Sequence, residues 1–248
     1  MNATTRESLE SGRLRVAYGE AESQFVDFYL PTGSEPPPAV AVLIHGGYWR
    51  DRFDLSLMHA LAADLLGQGI AVANVEYRRV GNGGGWPETG RDVAQALKLV
   101  REHLGNLKGV VSFVSVGHSV GGQLALLNAA AVDAVIALAP VTDVSRADDE
   151  RLGEDAAVSF MGARSAELPS EYTAASPLQQ LSLNSAVLLI HGDGDARVPV
   201  EHSRDYVAAA RAAGATVTYR EIPGMDHMEA ISPSASHWAG ATDWMLAR

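Results

Sequence analysis

Short apolar runs rich in β-branched residues alternate along this chain with longer segments of helical periodicity. The runs lie at residues 24–30, 39–45, 70–77, 110–117, 134–139, 186–191 and 216–222. Four of them, 39–45, 70–77, 110–117 and 186–191, are almost continuously apolar, as expected of strands that are covered on both faces of a sheet. The alternation predicts an α/β fold with a mostly parallel central sheet and helices on both of its faces.

The segments between these strands carry apolar residues every three or four positions, which predicts crossover helices. The predicted helices cover Leu57 to Leu65, Val93 to Leu104, a segment that starts at Ser119, a segment that starts near Glu201, and residues 234–246. Residues 141–183 depart from the alternation, because they form a long connection rich in Asp, Glu, Ser and Ala. Connections of this length are usually functional, and we expect a small helical cap inserted into a single domain that spans residues 1–248.

Composition excludes several classes of protein. The 248 residues carry a formal net charge of −11 and no cysteine, which rules out disulfides, a thiolate nucleophile and Cys-ligated zinc. Membrane helices need roughly 18 consecutive apolar residues, and no stretch of this sequence approaches that length. An acidic chain without a basic stripe is a poor nucleic-acid binder, and the polar start MNATTRESLE lacks the apolar core of a signal peptide. We therefore expect a cytoplasmic enzyme or binding protein with neither nucleic-acid nor membrane partners.

The sequence GHSVGG at residues 117–122 follows a predicted strand and opens a predicted helix. A serine on such a sharp turn adopts a strained backbone, and the glycines two residues before and after it let neighbouring segments pass closely. The turn raises the Ser119 hydroxyl above the sheet at a helix N-terminus, where the dipole favours negative charge. Ser119 is therefore the candidate nucleophile, and a tight turn with a capping serine is the alternative.

A serine nucleophile needs a general base, and the base needs an acid that orients it. On this kind of turn the order along the chain is serine, acid, histidine. The sequence HGDGDARVP at residues 191–199 follows a later strand and offers Asp193 and Asp195. We prefer Asp195 as the acid, because glycines let the chain turn before it and Val198-Pro199 anchors the loop after it; Asp193 is the alternative.

Three histidines follow the candidate acid in sequence. His227 lies on the loop between the last strand and the last helix, from which it can reach the carboxyl edge of the sheet, where ligands bind in open α/β folds. His202 and His237 lie on predicted helices and are expected at the surface. His227 is therefore the candidate base.

The sequence HGGYW at residues 45–49 ends another predicted strand. Acyl transfer develops negative charge on the carbonyl oxygen, and fixed N–H groups stabilise that charge. Paired glycines let backbone amides turn inward, so the expected oxyanion-hole donors are the amides of Gly47, Tyr48 and Val120.

The pocket around these groups is less strongly indicated by the sequence. The candidates for substrate binding are the aromatic residues Trp49 and Trp86, near Tyr48, together with Phe160 and Met161 of the predicted cap; core packing is an equal alternative for the aromatic residues. The basic residues near the predicted mouth are Arg50, Arg52, Arg78 and Arg79. They fit either a substrate carboxylate or ordinary ion pairs with Asp51, Asp54 and Glu76.

Together, GHSVGG, HGDGDARVP and HGGYW resemble the α/β-hydrolase superfamily over nearly the whole chain from residue 24 onward. Within it, HGGYW is similar to the oxyanion motif of the kynurenine formamidase (arylformamidase) and carboxylesterase branch. The resemblance implies a serine hydrolase whose triad is Ser119, Asp195 and His227. It also implies cleavage of small carboxylic esters or aryl formamides through an acyl-enzyme, without cofactor or metal.

Several alternatives stay open at this point. The chain is also compatible with a general carboxylesterase, a small peptidase-like acyl hydrolase, or a non-catalytic ligand-binding protein of the same fold. The expected partner is a small-molecule ester or amide substrate, and a homodimer is left open.

Overall fold

The central sheet is the frame on which all candidate residues are placed. A computed structural model describes residues 12–32, 36–105, 112–181 and 184–248. Its strands are β1 (Arg13–Ala17), β2 (Phe25–Tyr29), β3 (Ala39–Ile44), β4 (Ala71–Glu76), β5 (Ser112–His118), β6 (Ala134–Leu138), β7 (Ala186–Gly192) and β8 (Val217–Ile222). They form one eight-stranded sheet in the order β1-β2-β4-β3-β5-β6-β7-β8. β2 runs antiparallel to β1 and β4, whereas every other neighbouring pair is parallel. The predicted fold class is confirmed.

All seven predicted strands are present, although the first two positions of the segment predicted at 110–117 lie outside the described residues. β1 was not predicted from the sequence, and its residues RLRVA are mostly exposed at the edge of the sheet. Arg15 on this strand forms two hydrogen bonds to the buried Asp27 of β2, at 2.7 and 2.8 Å. An edge strand that is held by a charged pair carries no apolar signature, which explains why periodicity did not reveal it.

Helices occupy the connections between strands. They are α1 (His59–Gly67), α2 (Glu88–Leu104), α3 (Val120–Leu127), α4 (Val144–Asp149), α5 (Leu152–Met161), α6 (Pro169–Ala175), α7 (Glu201–Ala212) and α8 (Ser236–Leu246). The predicted helices correspond to α1, α2, α3, α7 and α8. Ser119 is the N-cap residue of α3 rather than its first helical residue.

Helices cover both faces of the sheet, and side chains of β3 point alternately into the two cores. Val40, Val42 and Ile44 join the core beneath α2, α3 and α7. Ala39, Ala41 and Leu43 join the opposite core, which α1 and α8 cover. Burial on both faces explains the continuous apolar runs that identified these strands.

A third apolar cluster lies where the connection between β6 and β7 meets the sheet. Helices α4, α5 and α6 of this connection bring Val144, Phe160 and Tyr172 against Trp49 and Val120. The cluster therefore joins the segment predicted as a cap to the two turns that carry the candidate nucleophile and oxyanion donors. Among the described residues, no helix has both the length and the apolar character needed to cross a membrane.

Candidate active site

The turn between β5 and α3 holds Ser119 in a strained conformation, with φ 57° and ψ −121°. A Cβ on Gly117 would overlap the carbonyl oxygen of Gly121, and a Cβ on Gly121 would overlap the carbonyl oxygens of Ile44 and His45. Only glycine fits at these two positions, because the turn and β3 approach each other backbone to backbone. The packing therefore holds Ser119 in its strained conformation, as is typical of functional turns.

Asp195 lies past the end of β7 and His227 past the end of β8, and the two side chains meet. His227 Nδ1 lies 2.6 Å from Asp195 Oδ2. The other carboxylate oxygen accepts hydrogen bonds from the backbone amides of Arg197 and Val198, at 2.8 and 3.0 Å. Burial disfavours the charged form of Asp195, yet the hydrogen bonds from His191 and His227 outweigh it and hold the pKa of this carboxyl well below its usual range. Asp195 is thus an ionised, fully hydrogen-bonded partner for His227.

Asp193, the alternative acid, has a different role. Its Oδ1 accepts a 2.5 Å hydrogen bond from the backbone amide of Gly224. This bond connects the turn after β7 to the turn after β8. His227 lies on the loop that continues from the second turn. Of the two carboxylates, the one that contacts His227 is that of Asp195.

A second histidine, which the sequence analysis did not single out, lies behind Asp195. His191 is fully buried, and its Nε2 lies 3.2 Å from Asp195 Oδ2 and 3.0 Å from the carbonyl oxygen of Val198. Its Nδ1 lies 2.5 Å from the hydroxyl of Ser203. Two oxygen acceptors at Nε2 fix the proton there, so His191 donates to the acid and accepts from Ser203. The signal in sequence was the histidine that opens HGDGD, four residues before Asp195.

His118, directly before Ser119, holds the loop that carries His227. Its Nε2 donates to the carbonyl oxygen of His227 at 3.0 Å, and its Nδ1 is buried without a hydrogen-bond partner among the described residues. Burial, reinforced by the nearby His227, lowers the pKa of His118 to about 3. A neutral His118 therefore connects the nucleophile turn to the base loop.

The turn after β3 carries backbone amides close to Ser119. Gly47, Tyr48 and Trp49 have positive φ angles of 116°, 54° and 56°. The amides of Gly47, Tyr48 and Val120 donate to no acceptor among the residues that the structure describes. Backbone N–H groups are rarely left unpaired, so a set of three near one serine indicates a place for a negatively charged oxygen.

Buried polar side chains support this turn from below. His45 Nδ1 donates to the carbonyl oxygen of Gly46 at 2.7 Å, and Tyr77 donates its hydroxyl proton to the carbonyl oxygen of His45 at 2.6 Å. Burial and the neighbouring Arg79 lower the pKa of His45 to about 3. Arg79 in turn forms a buried ion pair with Glu76. The strained backbone of the turn is therefore fixed by side chains that do not reach the cavity.

A cavity of about 240 Å³ joins these groups. Its lining residues are Gly47, Tyr48, Phe53, Leu57, His118, Ser119, Arg197, His227 and Met228. Among them, Phe53, Leu57, Arg197 and Met228 were not anticipated from the sequence. The candidate nucleophile and base, and the oxyanion candidates Gly47 and Tyr48, thus share one small cavity with mostly apolar walls.

The four side chains expected to bind substrate do not line this cavity. Trp49 and Phe160 stack at 4.4 Å between ring centroids inside the third cluster, and Met161 is buried with them. Trp86 meets Phe160 edge to face. Trp49 also donates its indole proton to Gln123 at 2.9 Å. These contacts correspond to the core-packing alternative.

Two predictions about histidines were wrong. His202 is 1% exposed and His237 is 4% exposed, although both were expected at the surface. His202 Nδ1 accepts from the amide of Thr142, and His237 lies 3.2 Å from the carbonyl oxygen of Ala230. Both rings are held by backbone groups on other segments, which the periodicity of their own helices does not reveal.

Known proteins are similar to this chain over most of its length. Esterase LipC of Mycobacterium tuberculosis is 29% identical over 239 residues, which cover 87% of this chain and 59% of LipC. Kynurenine formamidase of Danio rerio is 24% identical over 235 residues, which cover 87% of this chain and 74% of that protein. The chain therefore spans less than two thirds of the length of LipC.

Solved structures share the fold. A truncated form of a carbohydrate esterase from gut microbiota superposes with a TM-score of 0.82 at 21% identity, over 94% of each chain. The propionate-bound esterase Est2 of Thermogutta terrifontis superposes with a TM-score of 0.71 at 22% identity, over 87% of this chain and 85% of that one. Both likenesses identify the α/β-hydrolase fold. A family model described as BD-FAE matches residues 26–133 and 128–209, and this chain therefore belongs to the BD-FAE family.

Proposed function

We propose that this chain is a serine hydrolase of the esterase type, with Ser119 as nucleophile, His227 as general base and Asp195 as the acid that orients it. The carrying observation is the 2.6 Å contact between His227 Nδ1 and Asp195 Oδ2, beside a cavity that Ser119 also lines. Asp195 fixes the proton of His227 on Nδ1, which leaves Nε2 as the basic nitrogen. Esterases and kynurenine formamidases among the relatives support the same reading.

The reaction proceeds in two acyl-transfer steps. Ser119 Oγ forms a bond to the carbonyl carbon while its proton passes to His227 Nε2, and the carbonyl oxygen becomes an oxyanion. Collapse of this intermediate breaks the bond to the leaving group, which takes the proton from His227. Water then attacks the acyl-enzyme, with its proton passing to His227, and the acid product leaves as Ser119 recovers its proton.

The three unpaired amides support the assignment of the oxyanion hole to Gly47, Tyr48 and Val120. Donors fixed before the reaction need no reorganisation when charge develops, and one such donor contributes about 10²- to 10³-fold to the rate. The hydrogen bonds of His45 and Tyr77 to the carbonyl oxygens of Gly46 and His45 hold the backbone directly before the amides of Gly47 and Tyr48.

The proposed substrates are small carboxylic esters or aryl formamides. The cavity of about 240 Å³ suits a short acyl group, and relatives named esterase and kynurenine formamidase support one class each. We further propose that residues 1–248 act as one hydrolase domain and that residues 141–183 form its cap, because α4, α5 and α6 pack against the turns that carry Trp49 and Val120.

A fluorophosphonate probe tests the nucleophile directly. We expect covalent labelling of the wild-type chain at Ser119, located by peptide mass spectrometry, and no labelling of Ser119→Ala. Turnover of p-nitrophenyl acetate should disappear in the same variant. A wild-type chain that is folded, unlabelled and inactive would instead identify a non-catalytic ligand-binding protein.

The choice between the two substrate classes needs a second comparison. We would measure kcat/KM on N-formylkynurenine and on p-nitrophenyl acetate with the same preparation. A large preference for the ester excludes the formamidase assignment, and a preference for the formamide excludes a general carboxylesterase. The Ser119→Ala variant serves as the blank for both.

A further inference from the structure

The arginines near the mouth of the site are already engaged by other groups. Arg50 pairs with Glu154 at 3.3 Å, Arg78 with Asp92 at 2.7 Å, and Arg79 with Glu76. The guanidinium of Arg52 lies over the ring of Phe53, 5.0 Å from its centroid. The ion-pair alternative therefore holds for three of these four residues, although two of the acidic partners differ from those expected.

Arg197 differs from those arginines. It lines the cavity that contains Ser119 and His227, and it has no carboxylate partner among the residues that the structure describes. Among the described residues, the polar contact of its guanidinium is a 3.8 Å approach of Nη1 to the sulfur of Met228. In a chain with a net charge of −11, a cation that faces a cavity without a counter-ion is a candidate binding group.

The position of Arg197 is fixed relative to the candidate acid. Its backbone amide donates to Asp195 Oδ1 at 2.8 Å, so the side chain leaves a loop that cannot shift without moving the acid. The Asp195 carboxylate itself faces His227, His191 and two backbone amides. Neutralisation of Arg197 by Asp195 is therefore incomplete, and the guanidinium keeps donors available for a ligand.

Tyr48 lines the same cavity as Arg197 and adds a second donor. Its ring packs against Gly153, where a Cβ would overlap it, and its hydroxyl has no hydrogen-bond partner in the described parts of the chain. Burial raises the pKa of Tyr48, and the positive charge of Arg197 opposes that rise. A phenol and a guanidinium thus line one cavity, whose other walls include Phe53, Leu57 and Met228.

We propose that Arg197, assisted by the hydroxyl of Tyr48, binds an anionic group of the substrate. The preferred substrates are then small esters or amides that carry a carboxylate a few bonds away from the reacting carbonyl. This inference rests on the proposed function of Ser119 and names the substrate class for that same site. An arginine in this position recognises a planar carboxylate through paired N–H groups, a geometry that lysine cannot reproduce.

A matched pair of esters tests the proposal. Mono-p-nitrophenyl succinate and p-nitrophenyl butyrate differ in that a carboxylate replaces the terminal methyl group, and the leaving group is the same. The measured quantity is the ratio of kcat/KM for the anionic ester to kcat/KM for the neutral ester. Loss of a hydrogen bond between charged groups weakens binding by about tenfold or more, so Arg197→Gln should lower this ratio at least about 10-fold.

Two further variants control for general electrostatics. Arg211→Gln removes the same charge from an exposed position on α7 and should leave the ratio unchanged. Arg197→Lys keeps the charge without the planar fork and should give an intermediate ratio. An unchanged ratio in Arg197→Gln, with both esters hydrolysed by wild type, overturns the anion site while leaving the serine hydrolase intact.

A binding measurement separates failure of this inference from failure of the catalytic proposal. Calorimetry with monomethyl succinate on the Ser119→Ala variant requires no turnover. We expect the affinity to fall at least about 10-fold when Arg197→Gln is added. Equal affinity in the two variants overturns the anion site, whether or not the wild-type chain turns over either ester.

Discussion

Two regions line the same cavity but are held in opposite ways. The loops that carry Asp195 and His227 are called the acid–base side, and the turn with Gly47 and Tyr48, proposed to supply oxyanion donors, is called the oxyanion side. On the acid–base side, each polar group of Asp195 has a partner, and His191 and His118 fix the two loops through further hydrogen bonds. On the oxyanion side, the backbone is strained at consecutive residues and its amides have no acceptor among the described residues. The polar groups of the acid–base side find their hydrogen-bond partners within the chain, whereas the amides of the oxyanion side would find an acceptor in a ligand.

This difference separates two requirements of the proposed chemistry. A proton carrier must keep one orientation through the cycle, so its partners are satisfied at all times. Oxyanion donors must be strongest when charge develops, so they are kept unpaired and rigid beforehand. Substitutions on the two sides should therefore lower activity for different reasons. Those on the acid–base side should impair proton transfer, and those on the oxyanion side should weaken stabilisation of the transition state.

The largest effect should follow from breaking the acid–base side at its centre. Asp195→Asn cannot stabilise the imidazolium of His227, and we expect kcat/KM on p-nitrophenyl acetate to fall about 10³- to 10⁴-fold. Steady-state kinetics measure this loss. The matched control is Asp193→Asn, which retains an oxygen acceptor for Gly224 and should lose far less activity. Equal losses in the two variants would contradict the assignment of the acid.

The next largest effect should come from the oxyanion turn. A Cβ on Gly47 would overlap Phe53, and the φ of 116° is one that residues with a side chain rarely adopt. We expect Gly47→Ala to lower kcat about 10²-fold, because misplaced amides stabilise the transition state poorly. Kinetics on the same ester give the effect. Gly67→Ala on α1, where a Cβ meets nothing, is the control; a similar loss there would point to general destabilisation instead.

A smaller effect should distinguish positioning from catalysis on the acid–base side. His191→Asn removes a hydrogen bond to the charged Asp195, and we expect a roughly 10-fold lower kcat with little change in KM. Adding Ser203→Ala to His191→Asn should cost nothing more, since Ser203 acts through His191. A kcat equal to that of the wild-type chain would mean that His191 only fills space.

The last effect is on stability in acid rather than on turnover, and each side contributes to it one buried neutral histidine. His118 and His45 have pKa values of about 3, whereas an unfolded chain protonates histidine near about 6.5. Below that pH the unfolded state binds more protons, so the free energy of unfolding should fall by up to about 1.4 kcal/mol per pH unit for each histidine. Urea unfolding between pH 7 and pH 4 measures this slope. The slope should be smaller in His118→Gln, and an identical slope would contradict the neutral state of His118.

Strands and triad candidates could be predicted because their signals are local. Strands buried on both faces are continuous apolar runs, and the turns of Ser119 and Gly47 need glycines that stand beside them in sequence. The antiparallel edge strand β1 could not be predicted in the same way, since its stabilising partner Asp27 is a buried charge on another strand.

Contacts between distant segments account for the rest. His202 is buried because it accepts from Thr142, 60 residues earlier in the chain. The contact of His118 with the carbonyl oxygen of His227 spans 109 residues. Arg197 was not predicted because a charged residue on a loop is ordinarily solvated. It is indeed exposed, and only the assembled cavity shows that it also lines the site.

Phe53 gives the cavity an unusual constraint on redesign. Its ring forms part of the cavity wall, and its Cβ occupies the space that a side chain at position 47 would need. Shrinking this residue to admit bulkier acyl groups would also remove packing against Gly47 on the cavity side of the turn, which the hydrogen bonds of His45 and Tyr77 do not replace. The size of the acyl group and the rate of turnover are thus coupled through one side chain. A variant that accepts larger acyl groups would need a change at Phe53 and a second substitution that restores packing against the turn.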